Sequence, residues 1–467
     1  MDHTTDVIVT FVDGLALPMI PARTLHEAKR RLVDSLGCAI GAIDSRPAAI
    51  ARDLASDVTS ALPATAIGLP RPTSTEMAAF TNTVMLRYLD YNDTYFSPRG
   101  GGGHPSDLIP TSLAVGQAVG ASGADVLLSV VLAYEVVGAL AGTVRIRERG
   151  WDQGLFTVVA SAMAAGKLLH LSRSQLAHTV SLAITPHVPT RRTRAGELSM
   201  WKGCATAATA RNGVFAAALA ERGMTGPPSP FEGAHGIWEQ VTGPFQLDLT
   251  IPQPGAFVVE RTHLKSRPAE YNSQGPLDLI LAMRGEIEVE NIERIDVETY
   301  WLTYSEIGSE PAKWDPQTRE TADHSLPYLL AVALVDGEVG LRSFVRERIL
   351  DPTLRPLMKR IFVTERAEFT QRFPAEIKCR ISIRLLTGQS IERETSYPRG
   401  HARNPLSDED VDRKFDSLVD GRGEADAQVC NEIRRTLWTL DRVPNVATVL
   451  DRLGQLRTSP PGADVRA

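Results

Sequence analysis

The chain has 467 residues, enough to bury a sizeable core and to divide into two domains; its net charge of −6 is ordinary for a soluble protein, and the absence of a basic stripe argues against nucleic acid as a partner. The four cysteines, Cys38, Cys204, Cys379 and Cys430, lie far apart with no CxxC or Cys-His spacing, so no disulfide framework, metal site or iron–sulfur cluster is expected. The opening MDHTTDVIVTFVDGL carries no targeting pattern and reads as cytoplasmic, and the apolar run 126–140, shorter than the ~20 residues that span a bilayer, reads as a buried helix, not a membrane segment.

From residue 25 to 221 apolar residues recur at three- and four-residue spacing, which predicts an all-helical body. In TSTEMAAFTNTVMLRYLDYND, Thr73 stands three residues before Glu76 as a capping box, and the helix runs on to Asp90. If it continues further, Asp90 and Thr94 share one face with Asp93 near it. The run Arg99–Gly103 leads to His104, and Asp107 is read as the N-cap of the helix that contains Pro110. LSRSQLAHTVSLAI is capped by Ser172 and Gln175, and GCATAATARNGVFAAALAERG is rich enough in Gly and Ala for close helix packing.

After TGPPSPFEG the texture changes. FQLDLTI and AFVVERTHLKS read as strands, IERIDVETYWLTY alternates, and EIKCRISIRLLTGQSIERETSY reads as a hairpin about Thr387-Gly388. Helical segments lie among them, and the chain returns to helix beyond YPRGHARNP. The expected fold is therefore mostly α: a helical domain from residues 1–267 and 401–460, a smaller α+β domain at 268–400, and a mobile tail at 461–467.

Several groups could carry chemistry. His104 sits on a loop ahead of a helix with an unperturbed pKa near ~6.5, suited to proton transfer, and it is equally readable as a solvated loop residue. The glycine run follows a helix and matches neither the P-loop nor the dinucleotide fingerprint. Lys202 falls in the first turn of a helix, where a cation opposes the dipole and an anionic ligand gives a reason for it; solvation is the alternative. Lys265, Arg267 and Glu270 lie at a strand-to-loop junction, a common place for functional side chains. Arg191, Arg192 and Arg194 read as mostly solvated. Asp323, His324 and Tyr328 mark a helix start, where Tyr328 is readable as a core aromatic. Arg399, His401 and Arg403 read as interdomain bridges.

Six ordered segments, YLDYNDTYFSP…GHPSD, RGWDQGLFTVVASAMAAGKLLHLS, KGCATAATARNGVFAAALAERGMTGP, KSRPAEYNSQGPLDLIL, ADHSLPYLLAVALVDG and YPRGHARNP, span nearly the whole chain. Together they resemble the MmgE/PrpD family, which includes 2-methylcitrate dehydratases, cis-aconitate decarboxylases and iminodisuccinate epimerases. The resemblance implies a two-domain fold, a homodimer without cofactor or metal, and a small di- or tricarboxylic acid as substrate. It implies catalytic positions at Asp90, Thr94, His104, Lys202, Lys265 and Tyr328, between the two domains, with Asp152 and Glu270 as positions that separate the activities; together with Arg267 and Arg99 these two are expected to bind substrate. Acidic residues at 152 and 270, where cis-aconitate decarboxylases carry histidines, imply a 2-methylcitrate dehydratase-like hydro-lyase. Epimerisation of a dicarboxylate, decarboxylation and a silent acid-binding homologue are the alternatives. The substrate itself is expected to order Arg99–Gly103, which is otherwise mobile.

Overall fold

A computed structural model describes residues 1–99 and 101–459; Gly100 and the expected tail at 461–467 lie outside the described residues. The fold is mostly α with a small mixed sheet, and the chain divides into two compact units. The first comprises Met1–Arg194, Gly203–Thr262 and residues 407–459. The second comprises Ala195–Lys202 and His263–Leu406.

The first unit is built round the Ala22–Gly41 helix, which packs against Thr75–Tyr88 and Asp408–Val419. Glycines permit the second approach: a Cβ on Gly41 would stand 2.8 Å from Leu418 Cδ2, and one on Gly37 3.0 Å from Phe415 Cδ2. Beside them Lys414 Nζ meets Asp34 Oδ1 at 2.6 Å, donates to the Tyr91 carbonyl at 2.7 Å and lies 3.7 Å from the Tyr91 ring centroid. Burial alone would strip the ammonium of its proton; Asp34 reverses that and holds its pKa above the ordinary lysine value.

The apolar helix runs over Gly123–Ala141, longer than 126–140, because Ser122 and Asp125 form a capping box that adds a turn. Its 19 residues are long and apolar enough to cross a membrane, yet 78% of its apolar window is buried in the protein. The helix at Thr75 is capped by Ser74, which accepts from the Met77 N–H, and not by Thr73. Asp107 is not an N-cap: residues Pro105–Leu108 form a 3-10 turn that runs directly into Ile109–Ala118. The strand expected in AFVVERTHLKS is instead a helical turn, Val258–Arg261, whose consecutive Phe257, Val258 and Val259 are all buried; such a run fits a helix turn as well as a strand. FQLDLTI likewise forms no named strand.

The second unit carries a four-stranded sheet in the order Ile361–Glu365, Ile292–Thr299, Cys379–Leu385, Ser390–Thr395. The first pair is parallel and the others antiparallel, with the hairpin about Thr387-Gly388 as expected. Inward residues alternate along Cys379, Ile381, Ile383 and Leu385. A bulge between Ile292 and Arg294 shifts the phase of its neighbour, so that Ile292 and then Ile295, Val297 and Thr299 face inward. Helices Gln274–Met283 and Leu326–Asp336 pack together here, and Gly337 at φ +81° ends the latter.

The Lys414–Asp34 pair gives a direct test. Lys414→Met leaves a buried carboxylate uncompensated and should lower unfolding stability by about 3–5 kcal/mol, whereas Asp34→Leu with Lys414→Met should recover much of it. Urea titrations showing the single and double variants equally destabilised would contradict this account.

Candidate active site

The Thr75–Tyr88 helix stops two residues before Asp90, which adopts a left-handed backbone at φ +50°. Asp90 and Thr94 therefore do not share a helix face. Asparagine, aspartate and glycine tolerate that conformation best, and here it turns the carboxylate back on its own helix. Arg87, 2% exposed, donates to Asp90 Oδ1 at 2.6 Å. Its second terminal nitrogen meets His104 Nε2 at 2.8 Å, and its Nε lies 3.8 Å from Asp107 Oδ2.

A guanidinium can only donate, so Nε2 of His104 must supply the lone pair. The proton of the neutral ring then sits on Nδ1, which donates to the Asp93 carbonyl at 2.6 Å, with Thr94 Oγ1 at 3.3 Å. Asp93 in turn accepts from the Ser106 N–H at 3.0 Å and from the Tyr134 hydroxyl at 2.9 Å, and burial raises its carboxyl. Asn92 bridges Ser106 Oγ at 2.8 Å and Asp107 Oδ1 at 3.0 Å. Asp90, Thr94 and His104 thus do come together, by way of Arg87, which the sequence reading did not single out. The only sequence signal was an arginine on the inward face of an apolar helix.

Gly101, Gly102 and Gly103 are packed, contrary to the expectation of mobility. Tyr95–Phe96 pairs with Gly102–Gly103, and Ser97 N–H donates to the Gly101 carbonyl at 2.7 Å. A Cβ on Gly101 would stand 2.0 Å from the Ala141 carbonyl oxygen, and one on Gly102 2.1 Å from that of Tyr95. Backbone fills the space where side chains would be, and the chain itself makes the pairing. Arg99 is exposed; its carbonyl accepts from Arg145, and it lines a surface cleft of about 390 Å³ with Glu135, Asp248 and Arg261 that His104 does not line.

In the second unit Lys202, in the first turn of Trp201–Glu221, is buried and donates to Asp323 Oδ1 at 2.8 Å. His324 Nδ1 lies 2.7 Å from the same oxygen and 3.0 Å from Lys202 Nζ. Lys265 is fully buried, and the Leu264 N–H donates to the carbonyl of Gly400, whose φ of +93° and close approach exclude a side chain.

The remaining expected residues have protein partners. Arg267 is paired with Asp278 at 2.6 Å. Glu270 accepts from the Asn272 backbone at 2.6 Å and side chain at 2.7 Å, and Asn272 takes a hydrogen bond from the Tyr300 hydroxyl, a tyrosine the sequence reading passed over. Asp152 is pushed up by burial, but Arg194 at 2.7 Å outweighs this and holds it below the usual carboxylate range. Tyr328 stands apart from Lys202 and Asp323: it is buried in the unit's hydrophobic core, and its hydroxyl donates to the Ser343 carbonyl. Burial pushes its pKa above the useful range for acid catalysis.

Comparison with known proteins places this geometry in context. Residues 6–250 match the MmgE/PrpD N-terminal domain and residues 268–440 the MmgE/PrpD C-terminal domain. The chain is 24% identical to cis-aconitate decarboxylase of Mus musculus, covering 98% of this chain and 92% of that one. It is 26% identical to 2-methylcitrate dehydratase of Salmonella typhi and to that of Escherichia coli strain K12, each over 85% of this chain and 86% of the relative.

Burial pushes the Asp107 carboxyl up to about 6, although Arg87 pulls the other way. A folded-state value above the unfolded one makes stability greatest below about pH 4 and lowers it as pH rises through 6. Asp107→Asn should remove that fall, about 3 kcal/mol between pH 4 and pH 7. Parallel stability–pH profiles for wild type and variant would exclude the assignment.

Proposed function

We propose that this chain, which belongs to the MmgE/PrpD family, is a 2-methylcitrate dehydratase-like hydro-lyase that removes water from a small hydroxylated di- or tricarboxylic acid. The observation that carries the reading is the placement of His104, with Nε2 2.8 Å from the Arg87 guanidinium and Nδ1 2.6 Å from the Asp93 carbonyl; a donor on one side and an acceptor on the other suit a neutral ring with its lone pair on Nε2. Such a ring can accept a proton from carbon. To do so Nε2 gives up the Arg87 hydrogen bond, while Asp90 at 2.6 Å and Asn92 at 3.5 Å still hold the guanidinium.

Proton loss next to a carboxylate spreads charge into the carboxylate oxygens, and that charge needs fixed cations. Lys202 and Lys265, both buried, are assigned to it. The names of the relatives support this substrate class. The acidic residues at 152 and 270 support dehydration over decarboxylation, because Asp152 is committed to Arg194 and Glu270 to Asn272, which leaves neither as a proton donor to a carbanion.

Purified protein incubated with 2-methylcitrate, citrate, cis-aconitate and iminodisuccinate should form an unsaturated acid from a hydroxy acid, seen by ultraviolet absorbance, without releasing CO₂. His104→Gln should lower kcat by about 10²–10⁴-fold with KM nearly unchanged. Release of CO₂ from cis-aconitate, or deuterium exchange on iminodisuccinate with no elimination from any hydroxy acid, would overturn the reading.

A further inference from the structure

The helix Gly123–Ala141 carries two charged residues: Asp125, engaged in its capping box, and Glu135, further along and 4% exposed. A carboxyl buried on an apolar helix is costly unless each of its oxygens finds a partner. Oε1 accepts from the Val258 N–H at 2.5 Å. Gly138 lets the Val258–Arg261 turn close on the helix at this point, since a Cβ there would stand 2.5 Å from Val258 Cγ2. That N–H needs only one oxygen. Oε2 has no hydrogen-bond partner among the described residues, and Glu135 lines the surface cleft of about 390 Å³.

The lining of the cleft supplies what that oxygen lacks. Arg261 lies on it with its guanidinium 5.8 Å from the centroid of the Tyr95 ring, and makes no hydrogen bond or ion pair among the described residues. Arg99 brings a second guanidinium and Asp248 a second carboxylate, while Leu249, Pro252 and Ala256 form an apolar wall. The planar fork of a guanidinium matches a carboxylate, and a protonated carboxyl can donate one more hydrogen bond to the same group. An apolar wall gives a hydrocarbon chain somewhere to lie, which inorganic phosphate does not need. We propose that this cleft is a binding site for a small organic carboxylate, held by the Arg261 guanidinium and by a hydrogen bond donated from Glu135 Oε2, with its carbon chain on Leu249, Pro252 and Ala256. The cleft lies wholly within the first unit, and nothing in the proposal depends on the reaction assigned to His104.

The charges around Glu135 agree with this chemistry. Burial pushes its carboxyl up to about 8; the Val258 N–H and Arg261 pull against that, and Glu260 adds to it. At neutral pH the group is therefore protonated and can donate. Tyr95 is also pushed up, by burial first and by Glu135 in smaller measure, with Arg261 opposing. With Glu135 neutral, the charged side chains on the lining are Arg99 and Arg261 against Asp248, a balance that attracts an anion. Once Glu135 ionises, its oxygens repel a bound carboxylate, so affinity is highest below about pH 8 and falls as pH rises through it.

Calorimetric titration of the full chain with hexanoate at pH 7 and pH 9, beside hexylamine and inorganic phosphate, tests the site. Hexanoate has a single carboxylate and needs no turnover, so the result is independent of whether the protein eliminates water from any hydroxy acid. Wild type should bind hexanoate and lose about tenfold in affinity between the two pH values. Glu135→Gln keeps an oxygen for the Val258 N–H and places a permanent N–H donor at the other position. It should bind hexanoate as wild type does at pH 7, with no loss at pH 9. Arg261→Met changes an exposed side chain and should weaken binding about tenfold at both pH values while leaving the unfolding temperature little changed. Four results would overturn the proposal: no binding of hexanoate, equal or tighter binding of hexylamine or phosphate, a pH dependence retained in Glu135→Gln, or full affinity in Arg261→Met.

Discussion

The Arg87 guanidinium is the constraint from which the helical unit's polar centre follows. A buried cation of this size must be surrounded by acceptors, and the chain delivers them from three backbone features: Asp90 from a left-handed residue just past the helix, Asn92 from the turn that follows, and His104 and Asp107 from either end of a 3-10 turn. Of these, the left-handed Asp90 costs conformational energy by itself. The surrounding acceptors over-determine its position, which is the condition under which a strained residue persists.

The second unit solves a similar problem with the signs exchanged. There a buried carboxylate, Asp323, stands at the centre and the cations and a histidine gather on it.

The fold was legible wherever periodicity carried it. The helical body, the hairpin about Thr387-Gly388 and the helix from Leu326 to Gly337 all announce themselves through spacing, caps and a positive-φ glycine. Residues 256–261 misled because an unbroken run such as Phe257-Val258-Val259 has no period to read, whereas FQLDLTI does alternate, with Leu247 and Leu249 buried, but pairs with no named strand. In the site, types and positions were legible but partners were not. Nothing in the sequence says that Arg87 reaches His104 or that Asp152 is occupied by Arg194, since both contacts depend on tertiary approach. Tyr328 shows the same limit: a tyrosine at a helix start has the same local sequence whether its hydroxyl faces a substrate or a neighbouring carbonyl, and of its two readings the structure shows the core aromatic.

The glycines at 101 and 102 bear on how this loop can change. Because backbone oxygens occupy the volumes that β-carbons would need, the segment is specified by the number of its atoms and not by their chemistry. It acts as a spacer of fixed gauge between Thr94 and His104. Adding or removing one residue would change which peptide groups face the Ala141 and Tyr95 carbonyls, and the imidazole would lose its alignment with the Asp93 carbonyl even with every reactive side chain retained. For a designer who wished to retune the site, length is the variable to hold constant here, and the walls around the loop are the place to make substitutions.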